Sequence, residues 1–174
     1  MIALYLLLGF IALVLIVAAM AGTGWKYEKT IRIQAAPDKV WNHVNSLGAI
    51  NTWNPWIDRD PNLRQTMTGV DGTPGATYSW ESEQKNVGAG SQTIVAVTPP
   101  SEFATRIDFL RPFKGTAQAY VRVAGDGGGT LATWGIVSST PYPMNIVKVF
   151  GLIEKNMNRD FEKGLNKLKD LCEK

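Results

Sequence analysis

The sequence holds one histidine and one cysteine, which leaves nucleophilic and metal chemistry little to work with. His43 stands in "PDKVWNHVNSLGAI" beside the apolar positions Val40, Val44 and Leu47. No Ser/His/Asp set assembles around it, so a structural place at the boundary of a helix face is expected. Cys172 stands third from the end of the sequence, a poor place for a nucleophile, and a lone thiol forbids an internal disulfide. No HxxxH, CxxC or carboxylate–histidine spacing suits a metal ion. "GDGGG" (125–129) lacks the Gly-Lys-Ser/Thr ending and the following helix of a phosphate loop, and it reads as a hairpin turn. Glu81 and Glu83 could serve as acids of raised pKa in a buried pocket. However, Tyr78, Trp80 and Ser82 share one face of an alternating segment, which turns both glutamates towards solvent. No catalytic residue, metal ligand or cofactor is assigned.

What the sequence offers instead is aromatic surface. "NTWNPWIDRDPNL" (51–63) places Trp53 and Trp56 either side of Pro55, then Asp58, Arg59 and Asp60. Pro55 and Pro61 each lack an N–H and push the preceding residue out of the α region, so the stretch is a loop or a helix end. A ligand site joins apolar walls to a few placed polar groups, and this loop carries both kinds. The opposing expectation is that the tryptophans plug the end of a core and the charges are solvated. Tyr78 and Trp80 lie two residues apart, and Phe109, Phe113, Tyr120 and Trp134 continue the aromatic series along later segments.

The elements that must position these residues are legible from periodicity. "YEKTIRIQAA" (27–36) alternates and predicts a strand, and Pro37 opens a short helix at its tolerated first position. Asn45, Ser46 and Gly48 end that helix, and "AINTW" can form one further turn. Six strand segments follow: "LRQTMTG", "GATYSWESE", "SQTIVAVTPP", "FATRIDFLRPF", "TAQAYVRVAG" and "GTLATWGIVSS". "VDGTPG", "NVGAG", "PPSE", "FKG" and "GDGGG" separate them. From Ile146 the apolar positions Ile146, Phe150, Ile153, Met157, Phe161, Gly164, Leu168 and Leu171 step by three and four. They predict one amphipathic helix of roughly 25 residues. Only the sheet is extended enough to receive it, and a curved sheet around a long helix leaves a pocket between them. The fold class is α+β.

The segment Ile2 to Ala21, "IALYLLLGFIALVLIVAAMA", carries no charge. Roughly 20 apolar residues at about 1.5 Å each span the hydrocarbon layer with every backbone group bonded. Trp25, Lys26 and Tyr27 follow as an interfacial belt. Ala19-Met20-Ala21 has the shape of a signal-peptidase site, but no Lys or Arg precedes the run and it exceeds a signal core. The expectation is a single-pass membrane anchor over 1–24 and a globular domain over 25–174. Lys26, Lys29 and Arg32 favour a cytoplasmic domain. The net charge of +3 is scattered, which predicts no nucleic-acid partner.

Three stretches resemble the SRPBCC superfamily, the START-like or helix-grip group that includes polyketide cyclase/dehydrase-related proteins. They are "IRIQAAPDKVWNHVNSLGAINTWNPW", "GTPGATYSWESEQKNVGAGSQTI" and "MNRDFEKGLNKLKDL". The resemblance covers most of Ile31 to Leu171. It implies a helix-grip fold: a curved antiparallel sheet of about seven strands around the C-terminal helix. It also implies that the tryptophan loop lies near the cavity mouth, with Trp53 and Trp56 as wall or lid and Asp58, Arg59 and Asp60 as the polar rim. "ESEQK" after Trp80 departs from the family pattern, which puts inherited pocket chemistry there in doubt. The resulting expectation is a membrane-anchored binder of a hydrophobic small molecule, a lipid, isoprenoid or polyketide-like compound. Its site would comprise Trp53, Trp56, Tyr78, Trp80, Phe109, Phe113, Tyr120 and Trp134. The alternatives are a polyketide cyclase/dehydratase-like enzyme and a protein-interaction module at the membrane.

Overall fold

The structure is a computed structural model and describes Met1 to Lys174. Helix α1 (Ile2–Met20) precedes strand β1 (Gly24–Ile33) and two one-turn helices, α2 (Pro37–Trp41) and α3 (Leu47–Asn51). Strands β2 (Arg64–Thr68), β3 (Thr77–Glu81), β4 (Ala89–Thr98), β5 (Glu102–Arg111), β6 (Gly115–Asp126) and β7 (Gly129–Ser139) come next. A short α4 (Ile146–Val149) and a long α5 (Leu152–Cys172) close the chain. The strands form one antiparallel sheet in the order β1-β7-β6-β5-β4-β3-β2. This is the helix-grip arrangement expected from the sequence.

Alternation decides which face each residue takes. In β1, Trp25, Tyr27, Lys29, Ile31 and Ile33 face inward, and Lys26, Glu28, Thr30 and Arg32 face out. In β6, Ala117, Ala119, Val121 and Val123 are buried while their neighbours are more exposed. Register shifts at Ala89/Gly90 and Ile94/Ala96 in the β4–β5 ladder bend the sheet. The core combines the inner strand faces with Val40, Val44, Leu47 and Ile50 and with Phe161, Leu165 and Leu168 of α5.

Two local differences from the sequence reading have physical causes. Helix α2 stops at Trp41 rather than running on to the expected end at Asn45 and Ser46. Ser46 then caps α3 by accepting a bond from the Ala49 N–H at 3.1 Å, and Asp71 accepts from the Leu47 and Gly48 N–H groups. The C-terminal helix is also broken. Gly151 adopts φ 63°, a conformation that side chains disfavour, and separates α4 from α5. Ile146 and Phe150 therefore leave the stripe that grips the sheet, and α4 packs on α1 instead.

α1 projects from the domain with only Ala18 buried. Its 19 residues have mean hydropathy 2.9 over the most apolar window, the length and apolarity shared by membrane anchors and signal sequences.

Candidate functional site

A cavity of about 430 Å³ lies between the concave face of the sheet, α5 and the loop after α3. Twenty of its 28 wall residues are hydrophobic. The size falls within the usual range of small-molecule pockets, and the wall has their usual character of an apolar surface with few polar groups.

Each wall is built by strand alternation. On β3, Tyr78 and Trp80 face inward and stack at 6.2 Å between ring centroids. Gly90, the cross-strand partner of Trp80, makes room for the indole: a Cβ there would sit 2.6 Å from the ring. On β5, Phe103, Thr105, Ile107 and Phe109 line the cavity, with Phe109 edge-on to Trp80. Ala117 and Ala119 on β6 are small, and this keeps the space open behind the aromatics. Trp134 on β7 stacks on Phe161 of α5 at 4.2 Å, and Trp56 meets Trp134 edge-on at 5.4 Å. Phe113, at the tip of the β5–β6 hairpin, reaches the rim with 79% of its surface exposed.

The polar groups inside are few. The Tyr78 hydroxyl is buried and has no protein partner. Burial pushes its pKa up to about 12, so it stays protonated and can donate. Opposite it in the β3–β4 pair, Gln92 donates to the Thr105 hydroxyl at 2.9 Å, and Thr105 is directed to the Ala119 carbonyl. No carboxylate, imidazole or thiol lines the cavity.

Six of the eight aromatics expected at the site border the cavity with their rings among the inward-facing or rim residues: Trp56, Tyr78, Trp80, Phe109, Phe113 and Trp134. Trp53 does not. It is fully buried behind the wall, edge-on to Trp134 at 4.9 Å, and its Nε1 donates to the His43 carbonyl at 2.8 Å. Tyr120 borders the cavity, but its side chain belongs to the outer face. It crosses Gly135 to donate its hydroxyl to Glu28, and its ring lies under the Arg122 guanidinium at 4.3 Å. The missing side chain at Gly135 is what admits the ring, since a Cβ would meet it at 2.2 Å. Trp25, Ile107, Ala119, Met157 and Phe161 are among the other wall residues and were not expected at the site from the sequence. The inward positions of β5 and β6 were readable from alternation, whereas Trp25 read as an interfacial residue alone.

The charges after the tryptophans do not rim the cavity, which corrects the expectation for Asp58, Arg59 and Asp60. Asp58 pairs with Lys167 at 2.8 Å and Lys163 at 3.6 Å, and Arg59 pairs with Asp160 at 2.6 Å, all three partners on α5. Asp60 accepts a short hydrogen bond from the Ser82 hydroxyl and one from the Asn62 N–H at 2.9 Å. Together they clamp the tryptophan loop onto α5 and β3. Glu81 and Glu83 face solvent beside Arg64, as the alternation implied.

This clamp carries a pH dependence. The hydrogen bond from Lys167 holds Asp58 below the usual carboxylate range, and the Ser82 hydroxyl and Asn62 amide do the same for Asp60. A carboxylate whose folded pKa is depressed contributes stability that is complete above its unfolded value and is lost as pH falls through the folded one. The near-ultraviolet circular dichroism of the packed tryptophans is therefore expected to weaken from about pH 4 downward, before the far-ultraviolet sheet signal does. Coincident loss of both signals, unchanged in an Asp58→Asn, Asp60→Asn double variant, would show that the clamp is not responsible.

A family described as "Polyketide cyclase / dehydrase and lipid transport" matches residues 24–173. No curated protein matches the chain. Among solved structures, Ara h 8.0201 superposes with TM-score 0.58 at 10% identity, covering 84% of this chain and 96% of that one. A protein from Thermobifida fusca gives 0.60 at 19% identity, covering 86% and 91%. The di-domain ARO/CYC StfQ from the steffimycin biosynthetic pathway gives 0.63 at 11% identity, covering 87% of this chain and 52% of that one. At these identities the superpositions show a shared fold.

Proposed function

The chain belongs to the polyketide cyclase/dehydrase and lipid transport family, and from that premise we propose that it is a membrane-anchored binding protein for a hydrophobic small molecule. The observation that carries this reading is the cavity of about 430 Å³, with 20 hydrophobic residues among the 28 that form its wall. Such a wall favours an apolar body, gained at roughly 25 cal/mol per Å² of surface removed from water. Inside it, the partnerless Tyr78 hydroxyl favours a ligand with one hydrogen-bond acceptor, such as a carbonyl, carboxyl or ether oxygen. Lipids, isoprenoids and polyketide-like compounds share that chemistry.

In this reading, residues 1–24 are the anchor and linker and residues 25–174 the binding domain. α1 holds the cavity next to the bilayer, where an insoluble ligand resides, and tethering raises effective concentration without any new contact. Lys26, Lys29 and Arg32 after the span favour a cytoplasmic domain. The interaction-module alternative requires a filled interior, and the cavity speaks against it. The enzyme alternative keeps one supporting observation, the buried Tyr78 hydroxyl, since no carboxylate faces the cavity.

The test is native mass spectrometry of the full chain released from detergent-free lipid nanodiscs, then challenged with a fatty acid, an isoprenoid alcohol and an aromatic polyketide. A stoichiometric apolar adduct is expected, either co-purified or acquired. A bare chain that acquires none of the three would overturn the reading.

A further inference from the structure

The break at Gly151 separates Tyr142–Phe150 from the grip helix, and together with Leu152, the first residue of that helix, this segment forms a surface of unusual composition. Tyr142, Met144, Val149, Phe150 and Leu152 are exposed by 46–66%. Scattered apolar residues are ordinary, but a contiguous group of this kind is a contact surface awaiting a partner.

Two side chains inside the segment say where it lies. Asn145 is buried and its Nδ2 donates to the carbonyls of Ala18 at 2.6 Å and Gly22 at 3.0 Å. Lys148 donates from Nζ to the carbonyls of Ala21 at 3.2 Å and Gly24 at 2.7 Å. The last carbonyls of a helix have no partner within the helix, and in hydrocarbon an unbonded carbonyl is strongly disfavoured. Asn145 bonds the Ala18 carbonyl of the last turn and Lys148 the Ala21 carbonyl at the cap, and the ammonium also sits at the negative end of the helix dipole. Ala18, in the last turn of α1, is fully buried, and α4 is the element that packs on α1. The segment is thus held at the depth of the last turn of α1.

The cavity reaches the same end of the sheet, where the exposed Phe113 borders it. Trp25, at the start of β1, pairs with Ser138 at the end of β7, and Ser138 pairs with Ala117 at the start of β6. All three line the cavity, as do Phe113 on the neighbouring hairpin and Met157 near the start of α5. Lys114 and Lys155 are exposed beside these apolar residues, a charge pattern that suits anionic headgroups.

Taking α1 as a membrane span, which rests on the reading above, we propose that Tyr142–Leu152 and the Phe113 hairpin tip form a second contact with the phospholipid bilayer. This contact lies in the interfacial plane and seats the cavity mouth on the membrane. Amphipathic segments of this kind bury an apolar face at the boundary between headgroups and acyl chains. Ligand then passes between the bilayer and the cavity beside Phe113 and Trp25 without crossing water. Asn145 and Lys148 also bond the Gly22 and Gly24 carbonyls of the linker, which fixes the platform's geometry relative to the span.

The experiment places nitroxide labels on the full chain reconstituted in phosphatidylcholine/phosphatidylglycerol vesicles. Phe150→Cys and Phe113→Cys report the platform, Leu8→Cys the span, and Val70→Cys the exposed β2–β3 loop at the other end of the sheet. Cys172 is buried, so the parent chain serves as the unlabelled blank. Accessibility to oxygen relative to a water-soluble nickel chelate reads membrane depth. The labels at Phe150→Cys and Phe113→Cys are expected to favour oxygen several-fold over Val70→Cys, at a shallower depth than Leu8→Cys. If both match Val70→Cys while Leu8→Cys lies in hydrocarbon, the platform is overturned and the anchor stands. If Leu8→Cys is itself aqueous, the anchor falls and the platform falls with it.

Discussion

Trp53→Ala is expected to lower the unfolding free energy of the domain by about 3–5 kcal/mol, the usual range for deleting a buried aromatic. The indole is fully buried, touches Trp134 edge-on at 4.9 Å and donates to the His43 carbonyl. Its removal takes away the apolar burial and leaves both a cavity and a buried carbonyl without its donor. A loss of that size in a domain of this length corresponds to a melting temperature about 6–20 °C lower. Marginal stability leaves room for outright failure to fold, so Trp53→Phe is the companion variant. It keeps an aromatic edge against Trp134 and loses the hydrogen bond and part of the volume, with an expected cost of about 1–2 kcal/mol. Thermal unfolding of both variants in nanodiscs, followed by far-ultraviolet circular dichroism, checks the pair. Shifts no larger than that of an exposed substitution such as Val70→Ala would show that Trp53 is not a core residue.

That prediction turns on a distinction the sequence did not make. Trp53 and Trp56 stand three residues apart in a proline-bearing loop, where no fixed periodicity assigns faces. Only the packed structure shows one behind the cavity wall and the other in it. The same limit applies to Asp58, Arg59 and Asp60. Their partners Lys167, Lys163 and Asp160 lie about 100 positions away on α5, and Ser82 lies just past the end of β3, so the charges read as a solvent rim until the loop is seen folded onto them. Long-range pairing of this kind leaves no local trace.

The sheet was legible for the opposite reason. Its strands carry a two-residue period, and its hairpins are marked by glycine and proline, both local signals. Tyr120 could have been placed correctly from the same rule. Ala117, Ala119, Val121 and Val123 occupy the inward positions of β6, and Tyr120 falls between them on the outward set. The break before α5 was half legible. Ile146, Phe150 and Ile153 keep a helical step through it, which hides the break, while a glycine at 151 inside a helical pattern marks a permissible stop. What fixes the break is the bonding of Asn145 and Lys148 to the end of α1, a contact across more than 120 positions.

Ala119→Phe is expected to separate cavity from core by giving two effects of opposite sign. Ala119 lies on the inner face of β6, is 7% exposed and borders the cavity. In a filled core, adding a phenyl ring forces neighbours off their rotamers and costs about 1–3 kcal/mol. In a cavity of about 430 Å³ the ring enters open space, and the apolar area it buries leaves the melting temperature unchanged or raises it. The same ring occupies the volume a ligand needs. Its affinity should fall at least a hundredfold, about 2.7 kcal/mol, read as loss of the adduct in native mass spectrometry and by titration with an acquired ligand. Unchanged stability with lost binding fits an open pocket, and raised stability fits one kept open at some expense of stability, as binding sites commonly are. Lost stability with lost binding would mean that the ring disrupts packing, and retained binding would place the ligand elsewhere in the protein. The variant tests the inner alanines in particular, because Ala117 and Ala119 keep the space open where larger residues would close it.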